Sequence, residues 1–396
     1  MPSLREYFKN KNQKHQSEFR KKLIQHKRAI TTRTVLIVIL SITASLAVYI
    51  SYQNKVYVEY EVVRSVERDD AEQAEFIDFS GNILKYSRDG ATAFDSNDTI
   101  LWNEAYEMQN PLVDICKNFA AIGDYRGNKI YIMNESGLQG EITTDLPIMK
   151  FEVSDQGRIA VLLEDRKEML IRLYSISGEI ISDVKATMRN SGYPLDLCLS
   201  DDGIKLGVSY ILIERGSIKS SVAFYNFGSV GQDNIDHFMS GYDYQGTIVP
   251  MLKYINNSTA FAVGDNKFAI YKGSQKPVLE FETDLEDEVH SVFYSESYIG
   301  LVYRGGGEEG KYKIDIYDTS GNLVLVRPFD LEYTDIIFNK DLIIIYNDTE
   351  CCIYNMGGME KFQGEFHVLV SMIIPTDKKT RYILVSRGST QVIQLK

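Results

Sequence analysis

Tryptophan is all but missing from this 396-residue chain, where Trp102 stands alone. Histidine and cysteine are scarce as well, with five and four residues. Each shortage excludes something. His15 and His26 lie in a basic N-terminal tail, and His237, His290 and His367 show no metal-ligand spacing, so no metal site is expected. The cysteines, Cys116, Cys198, Cys351 and Cys352, are too few and too irregular for the disulfide framework of a small secreted domain. They are expected as small buried hydrophobes. No G-x-S-x-G elbow is present, which disfavours a serine hydrolase. Carboxylates are too abundant for a catalytic pair to be picked out, because paired acids carry meaning only at a known separation. No catalytic residue, metal or cofactor is therefore expected.

Charge is unevenly spread. Residues 1–33 hold ten Lys or Arg against Glu6 and Glu18, and Lys55 adds one more base. The whole chain carries −12, so residues 56–396 carry −21. Between the basic tail and the acidic body runs Thr34 to Tyr52, TVLIVILSITASLAVYISY, without a charge. As a helix these residues reach about 28 Å, close to the hydrocarbon thickness of a bilayer. Tyr49 and Tyr52 fall near the distal end, where aromatic rings favour the headgroup level. The competing reading is a cleavable signal peptide with Ser45-Leu46-Ala47 as its cleavage site, but the long leader and the apolar run beyond Ala47 oppose it. The expected organisation is a basic cytoplasmic tail (1–33), a transmembrane signal anchor (34–52) and an extracytoplasmic domain (53–396), single-pass in the plasma membrane. The tail is read as a topology-setting flank and not as a nucleic-acid-binding arm.

What the chain does have is a repeat about every 40 residues: KIYIMNESG, LIRLYSISG, VAFYNFG, FAIYKGS, IDIYDTSG and CIYNMGG. Each is an alternating apolar strand ending in a tyrosine (Tyr131, Tyr174, Tyr225, Tyr271, Tyr317, Tyr354) and followed by a polar turn. Short strands at this period are the blades of a β-propeller. With four strands per blade, labelled A to D outward from the central channel, the third blade reads Pro147–Ser154, Ile159–Glu164, Met169–Ile176 and Glu179–Lys185. The same order fits six further stretches, near Glu75–Tyr106, Pro111–Thr144, Leu195–Tyr242, Ile248–Glu282, Val289–Arg327 and Thr334–Phe366. Three strands remain at the C-terminus (Val368–Ile374, Tyr382–Ser386, Gln391–Leu395) and one at the N-terminus (Tyr57–Val63). Pairing them makes an eighth blade and leaves no remnant with open edges. The predicted fold is all-β, an eight-bladed propeller closed by its N-terminal strand, with seven blades as the alternative.

SDQGRIAVL at Ser154–Leu162 and SDDGIKLGV at Ser200–Val208 resemble the Ser-x-Asp-Gly turns of WD-repeat-like, TolB-like and quinoprotein-like propellers. The whole chain is similar to a family of uncharacterised membrane proteins of Gram-positive anaerobic bacteria, a resemblance that carries no catalytic residues. The Gly-His and Trp-Asp pairs of true WD repeats are absent. Quinoprotein dehydrogenases use a vicinal disulfide, which draws attention to Cys351-Cys352, but they also repeat a tryptophan-containing motif that a chain with Trp102 alone does not have. Adjacent strand residues point to opposite faces, so the pair is expected packed and unbonded.

One constellation is left. The B-to-C turns hold Arg88, Arg126, Arg166, Arg215, Arg304 and Arg387, with Lys267 in a seventh, and all such turns lie on one face of a propeller. A broken ring of guanidinium groups on an acidic domain suits phosphate or carboxylate ligands. Its counter-reading is solvated turn charge, with Asp89, Asp124, Asp165 and Glu214 beside the bases to neutralise them. The 26 tyrosines are read as blade packing, with carbohydrate stacking by Tyr242 and Tyr244 as the alternative. The expected function is a non-enzymatic binding or scaffolding module of the cell envelope with a protein or anionic polymer as partner. The alternative is an envelope hydrolase or oxidoreductase working in the channel.

Overall fold

The computed structural model describes residues 20, 26–28, 31–47, 54–68, 74–166, 168–186, 191–214, 216–305 and 310–396. Two compact units result, residues 1–56 and 57–396. The first contains a helix, His26–Ala47, which at 22 residues is long and apolar enough to cross a membrane. It starts before Thr34, because a helix continues through the basic flank without a breaker. Residues 48–52 of the expected span, and most of the basic tail, lie outside the described residues.

The second unit is an eight-bladed β-propeller of eight four-stranded antiparallel sheets. Blades 1 to 7 follow chain order as residues 75–105, 111–143, 148–186, 193–245, 251–284, 289–329 and 335–365. Blade 3 shows why this sequence makes them. Strand A (Ile148–Val153) is buried or half-buried along its length, and strand B (Ile159–Asp165) is an apolar run buried from Ile159 to Leu163 between neighbouring blades. Outer strand D (Ile180–Ala186) carries Asp183 and Lys185 among its apolar residues. The A-to-B turn is fixed by Ser154, whose Oγ accepts the Arg158 N–H at 3.1 Å, while Gly157 takes φ 68°, open to glycine at little strain. Ser200 and Gly203 repeat the device in blade 4.

Each C-to-D pairing contains a β-bulge at the same place, and this holds in all eight blades. The tyrosines of the repeat sit at that bulge in blades 3 to 7, as at Leu173/Tyr174 and Ile270/Tyr271. Blade 2 corrects the alignment: its bulge residue is Met133, and Tyr131 lies two positions earlier. Tyr242 and Tyr244 lie inside strand D of blade 4 (Phe238–Gln245), not on a turn. Leu279 N–H donates to the Tyr242 hydroxyl at 3.0 Å and the Tyr244 hydroxyl meets that of Tyr271, so both tie blade 4 to blade 5. The packing reading of these tyrosines holds.

Blade 8 closes as expected. Its order from the channel outward is Val370–Pro375, Arg381–Ser386, Ser389–Leu395, then the N-terminal strand Tyr60–Glu67, with Tyr60 opposite Leu395 and Glu67 opposite Ser389. The N-terminal strand runs further than the expected Tyr57–Val63: Tyr57 donates to the Lys361 carbonyl of blade 7 (2.8 Å), Val58 and Glu59 bond Lys396 (3.0 and 2.8 Å), and pairing continues through Arg64 to Glu67. Just past it, Arg68 is buried. It pairs with Asp98 of blade 1 at 2.8 Å and donates to the Ser386 carbonyl at 3.0 Å and to the Thr390 hydroxyl of blade 8. Its guanidinium also lies over the rings of Phe76 and Phe94, at 5.2 and 5.7 Å. This clasp fastens the seam at which the ring of blades is completed.

Cys351 and Cys352 are free, and they face opposite ways. Cys351 packs with Tyr382 and Leu384 between blades 7 and 8, and Cys352 with Val302 and Ile316 between blades 6 and 7. Cys116 and Cys198, on strands A of blades 2 and 4, are free as well.

Candidate functional site

The A strands meet around the axis, so residues on them decide what the channel contains. Strand A of blades 2 to 5 interrupts its apolar run with charge: Asp114 in PLVDIC, Lys150 and Glu152 in IMKFEV, Asp196 in YPLDLCL, Lys253 in MLKY. These side chains come together. Lys150 bonds Asp196 of the next blade and lies 3.4 Å from Glu152, and Lys253 crosses from blade 5 to bond Glu152 of blade 3. Asp196 also accepts Leu252 N–H at 2.7 Å and Leu197 N–H at 3.0 Å, and Asp114 accepts Val153 N–H at 2.6 Å. Towards the A-to-B turns, Lys117 of blade 2 reaches Asp201 of blade 4 (2.7 Å) and Glu296 of blade 6 (3.4 Å). Side chains from blades 2 to 6 thus bridge the lumen. A cavity of about 210 Å³ remains there, bordered by Asp114, Cys116, Lys117, Glu152, Lys253 and Tyr294.

Burial disfavours the charged ammonium of Lys150 and of Lys253, but their acidic partners together outweigh it, Glu152 and Asp196 for Lys150 and Glu152, Tyr294 and Asp114 for Lys253, so both lysines titrate above their ordinary range. Asp114 is raised as well, which for an acid favours the neutral form. Burial, then repulsion from Glu152, pushes its carboxyl up to about 7, against the opposing pull of Lys253 and Lys150. The native state therefore holds a proton on Asp114 that the unfolded chain has already released above pH ~4. Its contribution to stability falls as pH rises from about 4 to about 7 and is level above that. Guanidinium-unfolding midpoints across this range should show an extra decline in the wild type that Asp114→Asn lacks, and equal slopes would refute this assignment.

The opposite face carries the B-to-C turns. Arg88, Arg126, Arg166 and Arg387 all stand there exposed. Arg304 is the last residue of strand B in blade 6, and Lys267 the first of strand C in blade 5, so these two are strand ends and not turn residues. Arg215 lies outside the described residues. Lys267 is committed to Asp284 at 2.6 Å and Glu282 at 3.3 Å. Among the described residues no ion pair holds Arg88, Arg126, Arg166, Arg304 or Arg387. Asp124, placed to neutralise Arg126, instead accepts Gln109 and Asn110 N–H groups at 3.1 and 2.7 Å. Arg126 lies over the Tyr125 ring at 5.5 Å. Arg88 and Arg387 share a space of about 540 Å³ at the seam of blades 8 and 1. Arg304 borders a separate one of about 650 Å³ with Asp287 and Asp330.

The histidines are spread out. His290 stacks on Tyr312 at 5.8 Å, His367 lies 5.3 Å from Tyr60, and His237 5.3 Å from Phe227. Among the described residues no group of three or more His, Cys, Asp or Glu is placed to hold a metal ion.

These features define a closed propeller with a charge-bridged lumen and one face of exposed bases. The chain belongs to the family of unknown function DUF5711, which matches residues 53–395. No curated protein sequence matches it. Among solved structures it is similar to BamB from Moraxella catarrhalis (12% identity, 85% of this chain and 100% of that one, TM-score 0.50). It is also similar to a eukaryotic initiation factor (13%, 85% and 87%, TM-score 0.53) and to the dihydro-heme d1 dehydrogenase NirN in complex with DHE (12%, 76% and 73%, TM-score 0.51). At these identities the likeness is one of fold.

Proposed function

We propose that this protein is a non-enzymatic binding scaffold of the cell envelope. In this reading the helix His26–Ala47 anchors it, single-pass and N-terminus in, in the plasma membrane, and the propeller is presented outside the cytoplasm. The observation behind it is a division of labour among the bases. Lys150, Lys253 and Lys117 in the lumen are spent on internal carboxylates, whereas Arg88, Arg126, Arg166 and Arg387 stand exposed, without an ion pair among the described residues, on the B-to-C face of a domain with net charge −21. Exposed guanidinium groups kept apart from an acidic background favour an anionic ligand, an envelope polymer or an acidic protein surface.

The test is binding of the full-length protein in detergent to a panel of polyanions at low and raised salt, beside a variant with Arg88, Arg126, Arg166 and Arg387 changed to Gln. Salt-sensitive binding that weakens at least about tenfold in the variant is expected. Failure of the folded wild type to bind any of them would discard the anionic ligand. A channel enzyme is the second reading, favoured by the convergence of Asp114, Glu152 and Asp196. Its mark would be turnover lost in Asp114→Asn and kept in the arginine variant.

A further inference from the structure

We infer that the seam between blades 8 and 1 is the ligand site of the basic face, and that it takes a sugar phosphate, free or as a unit of a polymer. This rests on the scaffold reading above and narrows it to one place and one chemistry. The cavity of about 540 Å³ is bordered by Glu75, Tyr86, Arg88, Gln109, Asn110 and Arg387. Clefts of about 300–1,000 Å³ accept small organic ligands.

Both bases are carried by turns whose backbones are already fixed. In blade 1, Ser87 N–H donates to the Gly90 carbonyl at 2.9 Å, and Met108 N–H to the Arg88 carbonyl at 2.9 Å. In blade 8, Ser386 Oγ accepts Ser389 N–H and donates to the Ser389 carbonyl, each at 2.9 Å. Arg68, the clasp of the seam, holds the carbonyls of Gly388 (2.8 Å) and Ser386 (3.0 Å) on either side of Arg387. Two guanidinium groups on ordered turns, without carboxylate partners among the described residues, suit a phosphate, since they can donate to it from two sides.

The rest of the wall is wrong for phosphate and right for a sugar. Tyr86 borders the space, with its ring packed against the core of blade 1, and its hydroxyl donates to Glu75, which holds that carboxylate on the wall. Glu75 would repel a bare anion but accepts hydrogen bonds from sugar hydroxyls. Gln109 and Asn110 have their main chain tied to Asp124, while their side-chain amides make no hydrogen bond among the described residues. Two side-chain amides and a carboxylate together supply the donors and acceptors that pair with the hydroxyls of a sugar ring. Arg387 also borders an adjoining cavity of about 520 Å³ with Asp348, Leu369 and Ser371, so a polymer has room to continue past the first unit.

The experiment is calorimetric titration of the full-length protein in detergent with glucose 1-phosphate, glucose, inorganic phosphate, a phosphodiester-linked hexose oligomer and polyphosphate. Glucose 1-phosphate or the oligomer should bind at least about tenfold more tightly than glucose, inorganic phosphate or polyphosphate per site, and the tighter of the first two assigns the source. Arg88→Gln and Arg387→Gln should each weaken it about tenfold, the difference of one charge-assisted contact. Gln109→Ala should lower affinity for the sugar phosphate and not for phosphate, and Arg126→Gln should leave both intact. The seam is refuted if Arg126→Gln weakens binding as much as Arg387→Gln, or if inorganic phosphate matches the sugar phosphate. Polyanion binding that survives Arg88→Gln with Arg387→Gln would refute it too, while leaving the scaffold standing. Absence of all binding by a folded wild type would remove both. Unchanged thermal unfolding of each variant confirms that the fold is retained.

Discussion

Arg68→Ala is expected to remove about 3–5 kcal/mol of stability, a large share of what a propeller of this size can spare. The residue is short of no partner: Asp98, the Ser386 carbonyl and Thr390 all take its protons, and both charges are almost fully enclosed. Alanine leaves Asp98 inside the protein with only the Thr390 hydroxyl, which donates to it at 3.0 Å. Most of the loss comes from that stranded carboxylate. Arg68→Met with Asp98→Leu should recover part of it, because an apolar pair needs no compensation. Urea unfolding of the three proteins decides the matter. A loss under about 1 kcal/mol for Arg68→Ala would show that the N-terminal strand holds by its backbone pairing alone.

Asp196→Ala should be comparably severe, about 3–5 kcal/mol, for a different reason. This carboxylate accepts two backbone N–H groups and the Lys150 ammonium, and joins strands A of blades 3, 4 and 5. Asp196→Asn keeps an acceptor for Leu252 and loses the charge, so its loss should be smaller, about 1–3 kcal/mol. Equal effects of the two substitutions would mean that the ion pair, and not the hydrogen bonds to Leu252 and Leu197, does the holding.

The sequence discloses the fold far better than the site, and the reason lies in particular residues. A turn such as Ser154-Asp155-Gln156-Gly157 is determined locally, by a hydroxyl that accepts a nearby N–H and a glycine that takes a positive φ, so it can be read without knowing the neighbours. The same is true of the alternating strands that follow, and hence of eight blades. Local reading fails where two segments compete. Tyr57 to Val63 alternates as well as Tyr60 to Glu67 does, so the alternation alone does not tell that Tyr57 bonds blade 7 while the pairing with blade 8 runs on to Glu67. The bulge residue of blade 2 was obscured by Tyr131, which mimics the repeat two positions early.

The lumen is another case. Asp114, Lys150, Glu152, Asp196 and Lys253 are unremarkable among 98 charged residues, 43 basic and 55 acidic, until the blades are stacked. A signal was present all the same, since each is a charge inside a strand too apolar to face water, as in PLVDIC or MLKY. The ring of turn bases was partly visible: the turns of Arg88, Arg126, Arg166 and Arg387 lie where the repeat puts them. What the sequence could not say is which of them are neighbours. Arg88 and Arg387 are 299 positions apart and become partners only because the chain ends where it began.

That last fact reaches back to synthesis. Among the strands of the propeller, Tyr60–Glu67 is synthesised before all others and its partner, Ser389–Leu395, after them, so this strand stays unpaired until the other blades have been made. A chain truncated even by its final strand cannot form the seam and would expose the buried clasp residues Arg68 and Asp98. Closure of blade 8 therefore joins the two most distant strands of the propeller in a single sheet, so the ring of blades is complete only when both are present.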